Sequence, residues 1–378
     1  MKIAVISMIR ESWGGSEELW YEMAKEALQQ GHSVSHLSYA FNEQHPKTKE
    51  LIDLGMKEYH RPSFSSSQHN MVGRFFEKAI FFLRKRANNS IKEIFKAEPD
   101  IVFYNGTCYS IAAEKKMLHY LSNNNCRFYI LGHYTDEKSS HLSLHEKELV
   151  SKAYDRCSKV FFVSDRTKHV AEKQLGRLIN HAMVVRNPVN ISDVSILELP
   201  STETVQMAMV GNLITAHKGQ DIVLKILAAE QKETTNWHLN IYGKGPDESL
   251  LKELTNELGL NDKVSFHGKV NDIRAVWQKN HLLLMPSHME GMPLALVEAM
   301  FCGRIAVVTN VGGNTEWIDD KLNGFIAEEA TVESFNKAMQ QAFHSMHDWK
   351  AIGKAAHEKA KHLYDPHAGK TLLHLISS

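Results

Sequence analysis

The sequence predicts an α/β protein of two domains, each built on a doubly wound parallel sheet. Short apolar runs, such as residues 101–104 and 281–285, have the composition of strands that are buried on both faces. Helical segments alternate with these runs, and glycine-rich turns follow several of them. A chain of 378 residues is long for one small core. The polar stretch 190–204 predicts the boundary between a first domain (1–190) and a second (191–355).

Composition and charge exclude several classes of protein. The 44 lysine and arginine residues balance 44 aspartate and glutamate residues, so no global field recruits nucleic acid. No apolar run approaches the roughly 20 residues that a membrane span needs. Because the chain opens directly on a strand at residues 3–7, we expect no signal peptide. The four cysteines are scattered without metal spacing, which indicates buried free thiols in a reducing cytoplasm.

The first domain begins with a strand, a glycine-containing loop and a helix. The helix is predicted over residues 17–30 and the next strand over 33–39. Gly14 and Gly15 in the loop allow a ligand to approach the backbone closely. The loop lacks the G-x-G-x-x-G pattern of dinucleotide-binding proteins. A glycine-rich turn without a ligand is the alternative interpretation.

Residues 40–87 follow with two different patterns. Residues 40–70 are polar and poorly periodic, and their end at 61–70 has the composition of an exposed loop. Residues 71–87 predict an amphipathic helix with basic side chains around Phe81. Such a helix could press the domain onto an anionic membrane surface. A packed helix with solvated charges is the alternative.

Two further strands of the first domain end at polar side chains. Asn105 follows the strand 101–104, and His133 follows the strand 128–131. A neutral histidine can donate or accept a hydrogen bond at a strand end without adding charge. A structural histidine with satisfied hydrogen bonds is the alternative for His133.

The second domain opens with predicted strands at residues 205–210 and 237–242 and is organised around the stretch 281–303. In that stretch an apolar strand leads into a turn, Pro293 suits the start of a helix, and Gly303 suits its end. Ligands bind at this edge of doubly wound sheets, and the amide groups of a helix start favour phosphate.

Two carboxylates flank that helix start. Glu290 lies just before the helix, and Glu298 lies about 1.5 turns inside it. Each carboxylate can accept hydrogen bonds from neighbouring hydroxyls of a sugar or a ribose. The combination of an anion site with two hydroxyl acceptors predicts a nucleotide-sugar site.

The same stretch resembles the signature of the retaining glycosyltransferases of family 4. The resemblance rests on Glu290-x7-Glu298, Ala299-Met300-x-x-Gly303, Gly312-Gly313-x-x-Glu316 and Asn323-Gly324. It implies the GT-B fold, in which two Rossmann-like domains face each other across a cleft. It also implies that the C-terminal segment 356–378 crosses back onto the first domain.

The resemblance implies a role for each site residue. Glu290 would contact hydroxyls of the donor sugar near the reaction centre, Glu298 the ribose, and Lys218 the diphosphate. His133 would lie near the acceptor and the anomeric carbon, so the catalytic candidates are Glu290, Lys218 and His133. The other donor-site candidates are Gly14, Gly15, Gly211, Asn212, Gly243, Val270, Gly291, Met292, Pro293 and Leu294.

The sequence departs from the family pattern at Asn212, where the family usually has an arginine. An asparagine donates no charge to the diphosphate, and such a loss costs a few kcal/mol of transition-state stabilisation. Arg10, in the glycine loop of the first domain, is a candidate replacement. Together with Asn105 and His133, Arg10 completes the predicted acceptor side.

The sequence therefore predicts transfer of a sugar from a UDP- or GDP-sugar to an acceptor hydroxyl with retention. The expected acceptor is a sugar, a lipid-linked group or a small molecule in polysaccharide, glycolipid or glycoside assembly of the cell envelope. We expect no metal and no cofactor besides the nucleotide-sugar co-substrate. We expect the protein in the cytoplasm, with peripheral binding to the inner face of the membrane as a further option. A nucleotide-sugar epimerase of the same fold and a degenerate nucleotide-sugar-binding protein, suggested by Asn212, are the alternatives.

Overall fold

The computed structural model of the chain describes residues 1–41, 43–62, 88–138, 142–229 and 236–378. These residues form two units, one of residues 1–188 with 365–378 and one of residues 189–364. The chain returns to the first unit later than the predicted residue 356. The reason is that the helix Trp349–Leu363 packs within the second unit, where His357 Nδ1 donates to the carbonyl oxygen of Phe301 at 2.8 Å.

The described residues of the first unit form a seven-stranded sheet. Its strands are β1 (Lys2–Ser7), β2 (Ser33–Tyr39), β3 (Lys57–Arg61), β4 (Ile101–Gly106), β5 (Arg127–Gly132), β6 (Lys159–Phe162) and β7 (Ala182–Val184). They lie in the order β3-β2-β1-β4-β5-β6-β7, and every neighbouring pair is parallel.

In the second unit, the part of the chain that the structure describes forms a six-stranded sheet. Its strands are β8 (Val205–Val210), β9 (Trp237–Tyr242), β10 (Val264–Gly268), β11 (Leu282–Met285), β12 (Ile305–Thr309) and β13 (Phe325–Ala327). They are parallel and lie in the order β10-β9-β8-β11-β12-β13. Both sheets therefore reverse their strand order next to their first strand, as doubly wound sheets do. The predicted α/β fold is confirmed.

Helices connect the strands of both sheets. In the described residues they are α1 (Glu18–Gln29), α2 (Pro46–Asp53), α3 (Ser90–Lys96), α4 (Lys115–Asn123), α5 (Leu144–Arg156), α6 (Asp165–Leu175), α7 (Thr215–Lys218), α8 (Gln220–Ala229), α9 (Glu248–Glu257), α10 (Ile273–Lys279), α11 (Leu294–Phe301), α12 (Asn314–Trp317), α13 (Val332–His344), α14 (Trp349–Leu363) and α15 (Ala368–Ser377).

The C-terminal helix α15 packs along α1 in the first unit. Its last carbonyl groups, which have no partner inside the helix, accept hydrogen bonds from β5. Tyr129 Oη donates to the oxygen of Ile376 at 3.1 Å, and Arg127 Nη1 donates to the oxygen of Ser377 at 3.0 Å. The end of the chain is thereby attached to the first sheet.

The structure differs from the sequence prediction between residues 40 and 62. This polar stretch contains α2 and β3, which the prediction missed. Pro46 stands in the first turn of α2, a position that proline favours, and the side chain of His45 caps the helix. The predicted amphipathic helix 71–87 lies outside the described residues. The four cysteines are buried and free, as predicted.

Candidate functional site

The carboxyl edge of the second sheet carries a small cavity. The strand order reverses between the neighbouring strands β8 and β11. The chain segments that follow these two strands therefore run in opposite directions, and a crevice opens between them. A cavity of about 10 Å³ lies there, which is room for one water molecule. The polar and glycine residues that line it include Gly211, Lys218, Gln220, Tyr242 and Ser287.

Lys218 and Glu290 form an ion pair at this edge. Lys218 Nζ lies 2.6 Å from Glu290 Oε1, and Ser287 Oγ donates to the same oxygen at 2.7 Å. The side chain of Glu290 is 7% exposed and that of Lys218 is 29% exposed. The structure thus brings together two residues that the sequence analysis placed in one site. A lysine has three N–H donors, so Lys218 keeps capacity for an anion while it is bonded to Glu290.

The short helix α7 holds Lys218 in place through bonds to two loops. At its start, the N–H and the Oγ1 of Thr215 donate to Asp247 Oδ2 at 2.7 and 2.8 Å. Near its end, the N–H of His288 donates to the oxygen of His217 at 2.8 Å. Lys218 is therefore fixed by the loop after β9 and by the loop after β11.

The loop after β12 supports the loop that carries Glu290. The N–H of Gly313 donates to the oxygen of Gly291 at 2.8 Å, and Thr309 Oγ1 donates to the oxygen of Ser287 at 2.6 Å. Gly312 has φ +51°, and a Cβ at this position would lie 2.0 Å from the oxygen of Glu290. Gly312, the first glycine of the Gly312-Gly313 pair, is thus needed for this close approach.

A second close approach joins the loops after β8 and β9. Gly243 has φ +138°, and a Cβ there would lie 1.9 Å from the oxygen of Gly211. The N–H of Gly243 donates to the oxygen of Gly268 at 2.8 Å. The predicted donor-site glycines Gly211 and Gly243 therefore lie against each other at the carboxyl edge.

We expect Gly243→Ala to lower the free energy of unfolding by more than about 3 kcal/mol, because it adds a backbone clash to a strained φ. The control is Gly259→Ala, at φ +67° with no atom within 4 Å of the added Cβ. This control should cost only about 1–2 kcal/mol, the usual penalty of a left-handed residue. Urea unfolding of both variants measures the difference, and equal losses would contradict the steric argument.

The helix α11 begins directly after Pro293, which is its N-cap, and no side chain caps the first turn. The helix ends as predicted, with Gly303 at φ +69° and its N–H donating to the oxygen of Met300 at 2.9 Å. Glu298 is buried inside the helix, and its Oε1 accepts from the N–H of Asn190 at 3.0 Å. Its expected contact with a ribose stays a prediction.

The side chain of Gln220, which the sequence analysis missed, lines the cavity. Asn212 itself is exposed, and its backbone oxygen accepts from Gln220 Nε2 at 2.9 Å. The Oε1 of Gln220 is buried and has no hydrogen-bond partner in the described part of the chain. A polar atom of this kind predicts an ordered water or a ligand atom beside it.

The roles expected for Val270, Gly291, Met292 and Leu294 stay predictions.

In the first unit, a buried carboxylate lies at the point where the strand order reverses. Glu17 accepts hydrogen bonds from Ser7 Oγ at 3.0 Å, Trp20 Nε1 at 2.8 Å and Asn105 Nδ2 at 2.7 Å. Burial raises the pKa of Glu17 to about 7. Glu17 was not predicted from the sequence, although its place directly after Gly14-Gly15-Ser16 was a signal that could have identified it.

The same network fixes the protonation of His133. The carbonyl oxygen of Ser16 accepts from Asn105 Nδ2 at 3.2 Å, so the amide nitrogen of Asn105 must face Ser16 and Glu17. The Oδ1 of Asn105 then faces His133 Nε2 at 2.6 Å, and His133 must be the donor. Burial lowers the pKa of His133 to about 3. His133 is therefore neutral, with its proton on Nε2 and an acceptor at Nδ1.

In the glycine loop of the first unit, Gly14 is extended and Gly15 opens a short 3-10 turn that ends at Glu17. Neither glycine has a positive φ, and the close approach of a ligand to this loop stays a prediction. A Cβ on Gly14 would lie 2.8 Å from the Cδ1 of Ile9. Arg10 is exposed, and its proposed replacement of the family arginine stays a prediction.

In the described residues, no group of three or more His, Cys, Asp and Glu side chains is arranged to hold a metal ion. No described helix combines the length and the hydropathy that crossing a bilayer requires.

Two family profiles match the chain. The profile described as Glycosyltransferase Family 4 matches residues 13–193, and the profile described as Glycosyl transferases group 1 matches residues 197–359. The chain belongs to the group 1 glycosyltransferases of the family 4 type. An uncharacterized glycosyltransferase of Haemophilus influenzae is 25% identical to this glycosyltransferase over 341 residues, which cover 89% of each chain. One subunit of the human phosphatidylinositol N-acetylglucosaminyltransferase is 22% identical over 331 residues, or 87% of this chain and 65% of its own.

Solved structures show the same fold as this glycosyltransferase. Anabaena HepE in complex with UDP has a TM-score of 0.76 at 17% identity, with 100% of each chain covered. The lipopolysaccharide outer core galactosyltransferase WaaB has a TM-score of 0.69 at 19% identity, with 98% of each chain covered. The GT-B fold expected from the sequence is confirmed.

Proposed function

We propose that this glycosyltransferase moves a sugar from a nucleoside-diphosphate donor to an acceptor hydroxyl, with retention at the anomeric carbon and without a metal ion. The observation that carries the proposal is the Lys218–Glu290 pair, which lies where the strand order of the second sheet reverses. Ligands of doubly wound sheets bind at such points.

In the proposed reaction the protein supplies charge stabilisation and positioning. The amide groups at the start of α11 and the ammonium group of Lys218 take up the negative charge of the leaving diphosphate. Glu290 accepts a hydrogen bond from a hydroxyl of the donor sugar, and Glu298 accepts from the ribose. Neutral His133 accepts a hydrogen bond from a substrate hydroxyl at Nδ1, and the charge of His133 stays the same.

Retention follows in this proposal from the geometry of attack. The acceptor hydroxyl and the leaving oxygen share one face of the donor sugar, and the enzyme holds both in place. Retaining glycosidases instead use a carboxylate nucleophile beside a second carboxyl group about 5 Å away. Since Glu290 already accepts from Lys218 and Ser287, we assign it to hydroxyl binding rather than to nucleophilic attack.

UDP-glucose is the first donor to test. HepE of Anabaena, which shares the fold, has been solved with UDP and with UDP-glucose at TM-scores of 0.76 and 0.74. The neutral Asn212 leaves Lys218 as the main side-chain charge for the diphosphate in the proposal, so we expect slow turnover.

Calorimetry with UDP-, GDP- and ADP-sugars, followed by assays of nucleotide release with and without sugar acceptors, tests the proposal. We expect donor binding, nucleotide release that depends on an acceptor, and unchanged turnover in EDTA. An NMR spectrum of the product should show the anomeric configuration of the donor. Turnover of the sugar without an acceptor would instead identify an epimerase, and donor binding without any turnover would identify a degenerate binding protein.

We further propose that the acceptor belongs to polysaccharide, glycolipid or glycoside assembly of the cell envelope, and that the enzyme works on the cytoplasmic side. The support is the breadth of the family and the likeness in fold to a lipopolysaccharide galactosyltransferase. Contact with the membrane through residues 71–87 stays a prediction.

A further inference from the structure

A polar cavity of about 80 Å³ lies in the first unit, on one face of β2 and β3. In a parallel sheet that is covered on both sides, such a face is normally apolar. Here it carries His36 and Ser38 of β2 beside Glu58 and His60 of β3, in register 36 to 58 and 38 to 60. These four side chains form a polar floor that the packing of the sheet alone does not require.

His36 is the central group of this floor. It is 3% exposed, and neither of its ring nitrogens has a hydrogen-bond partner among the described residues. Its Nδ1 lies 3.8 Å from Glu58 Oε1, which is too long for a hydrogen bond. A buried imidazole without partners is costly, so a donor and an acceptor from a bound molecule would stabilise it.

The charge of the cavity favours an uncharged ligand over an anion. Burial opposes the ionisation of Glu58, but neighbouring groups that include His60 and Gln44, whose Nε2 donates to Glu58 Oε2 at 2.7 Å, hold the pKa of Glu58 below its ordinary value. Burial lowers the pKa of His36, so its imidazole is neutral. No lysine or arginine is among the described side chains that line the cavity. A phosphate or a carboxylate would therefore meet negative charge without compensation.

Aromatic side chains cover the polar floor. The ring of Trp20 lies 4.4 Å from that of His36, and Trp13 from the loop after β1 lines the cavity as well. Apolar and aromatic walls with a few fixed polar groups are typical of sites for small organic ligands. The volume leaves room for one hydroxylated edge of a ring rather than for a whole disaccharide.

On the basis of the proposed transferase function, we propose that this cavity is an acceptor subsite that takes an uncharged, hydroxyl-bearing edge of a sugar ring. A hydroxyl group can donate to the bare nitrogen of His36 or to Glu58 and can accept from the protonated nitrogen of His36. The polar floor selects against acceptors that carry a phosphate or a carboxylate at this end.

Saturation-transfer NMR on the full chain tests the subsite with methyl glycosides of glucose, galactose and mannose. Glucose 6-phosphate and glucuronate serve as the anionic counterparts. We expect at least one neutral glycoside to bind about tenfold more tightly than either anion. Binding of none of the neutral glycosides, or equal binding of the anions, would overturn the proposal.

The variant His36→Phe keeps a ring against Trp20 and removes both nitrogens, and we expect it to weaken glycoside binding about tenfold. The matched control is His119→Phe, on an exposed part of α4, which should bind as the unaltered protein does. If His36→Phe does not fold, Glu58→Gln takes its place and should narrow the preference for neutral over anionic sugars. Unchanged binding in His36→Phe, or an unchanged preference in Glu58→Gln, refutes the subsite.

Lys218→Met separates this subsite from the donor site. We expect the variant to lose donor binding in calorimetry and to keep glycoside binding in the NMR experiment. If the unaltered protein binds glycosides but no nucleotide sugar, the proposed transferase function fails while the sugar site in the first unit stands. If it binds nucleotide sugars but no glycoside, the sugar site in the first unit fails while the proposed transferase function stands.

Discussion

Replacing Lys218 by methionine is expected to lower kcat/KM for sugar transfer about a hundred- to a thousandfold, the usual cost of removing one charge-stabilising donor. In the proposed reaction Lys218 faces the leaving diphosphate, and Asn212 offers no second charge. The substitution also leaves the Glu290 carboxylate, which is 7% exposed, with the hydroxyl of Ser287 as its remaining described donor. Initial rates of nucleotide release at several donor concentrations measure the change.

The effect of Lys218→Met must be separated from a general loss of charge. Lys225→Met is the matched control, because Lys225 forms a surface ion pair with Asp221 at 2.7 Å and its side chain is 47% exposed. We expect that control to change kcat/KM less than about twofold and stability by less than about 0.5 kcal/mol. A Lys218→Met enzyme with the kcat/KM of the unaltered protein would remove Lys218 from the mechanism.

Lys218→Met is also expected to cost about 1–2 kcal/mol of stability, since it leaves a mostly buried carboxylate without its cation. The double variant Lys218→Met with Glu290→Gln removes both charges and should recover most of that loss. It should not recover activity, because the charge that meets the diphosphate is still absent. Thermal melting and initial rates on the same samples separate the two contributions.

The sequence predicted the central strands of both sheets well. Strands 33–39, 205–210 and 237–242 have the predicted bounds, because a glycine within two residues of one end of each strand marks a turn: Gly31, Gly211 and Gly243. β3 was missed because its sequence, Lys-Glu-Tyr-His-Arg, is almost entirely polar. Among the described residues β3 is an edge strand with one neighbour, and two of its polar side chains line a cavity instead of a hydrophobic core.

The candidate site was predictable only where a local pattern carries the chemistry. Glu290 and Lys218 stand in recognisable loops next to glycines, so the sequence identified both, although 72 positions separate them. The importance of Glu17 and His36 arises from burial and from partners elsewhere in the fold. Glu17, in the turn before α1, meets Asn105 of β4, and His36 of β2 lies beside Glu58 of β3. Neither pairing has a signature in the sequence.

Glu17→Gln is expected to change the pH dependence of stability by about 3 kcal/mol, the free energy equivalent of raising a pKa from 4.5 to about 7. An acid with a raised pKa binds more protons in the folded state than in the unfolded state between these two values. The native state therefore loses stability as pH rises through this window, with no penalty below pH 4.5 and the full penalty above pH 7. Glutamine removes the titration.

His133 contributes the opposite slope, because burial lowers its pKa from 6.5 to about 3. The folded state then binds fewer protons than the unfolded state between these values, and stability rises with pH in that range. The two slopes oppose each other from pH 4.5 to 6.5 in the unaltered protein, whereas Glu17→Gln keeps only the slope of His133. The stability of Glu17→Gln minus that of the unaltered protein should thus increase from pH 4.5 to 7 and stay constant above.

Urea unfolding at intervals from pH 4 to 8 measures this difference. A glutamine amide at position 17 would face the donors Trp20 Nε1 and Asn105 Nδ2, which adds a cost that does not depend on pH. The slope of the difference, rather than its absolute value, is therefore the diagnostic quantity. Glu93→Gln, at a side chain that is 45% exposed, is the control and should follow the unaltered protein at every pH. A difference between Glu17→Gln and the unaltered protein that is flat with pH would mean that Glu17 does not titrate from its buried position.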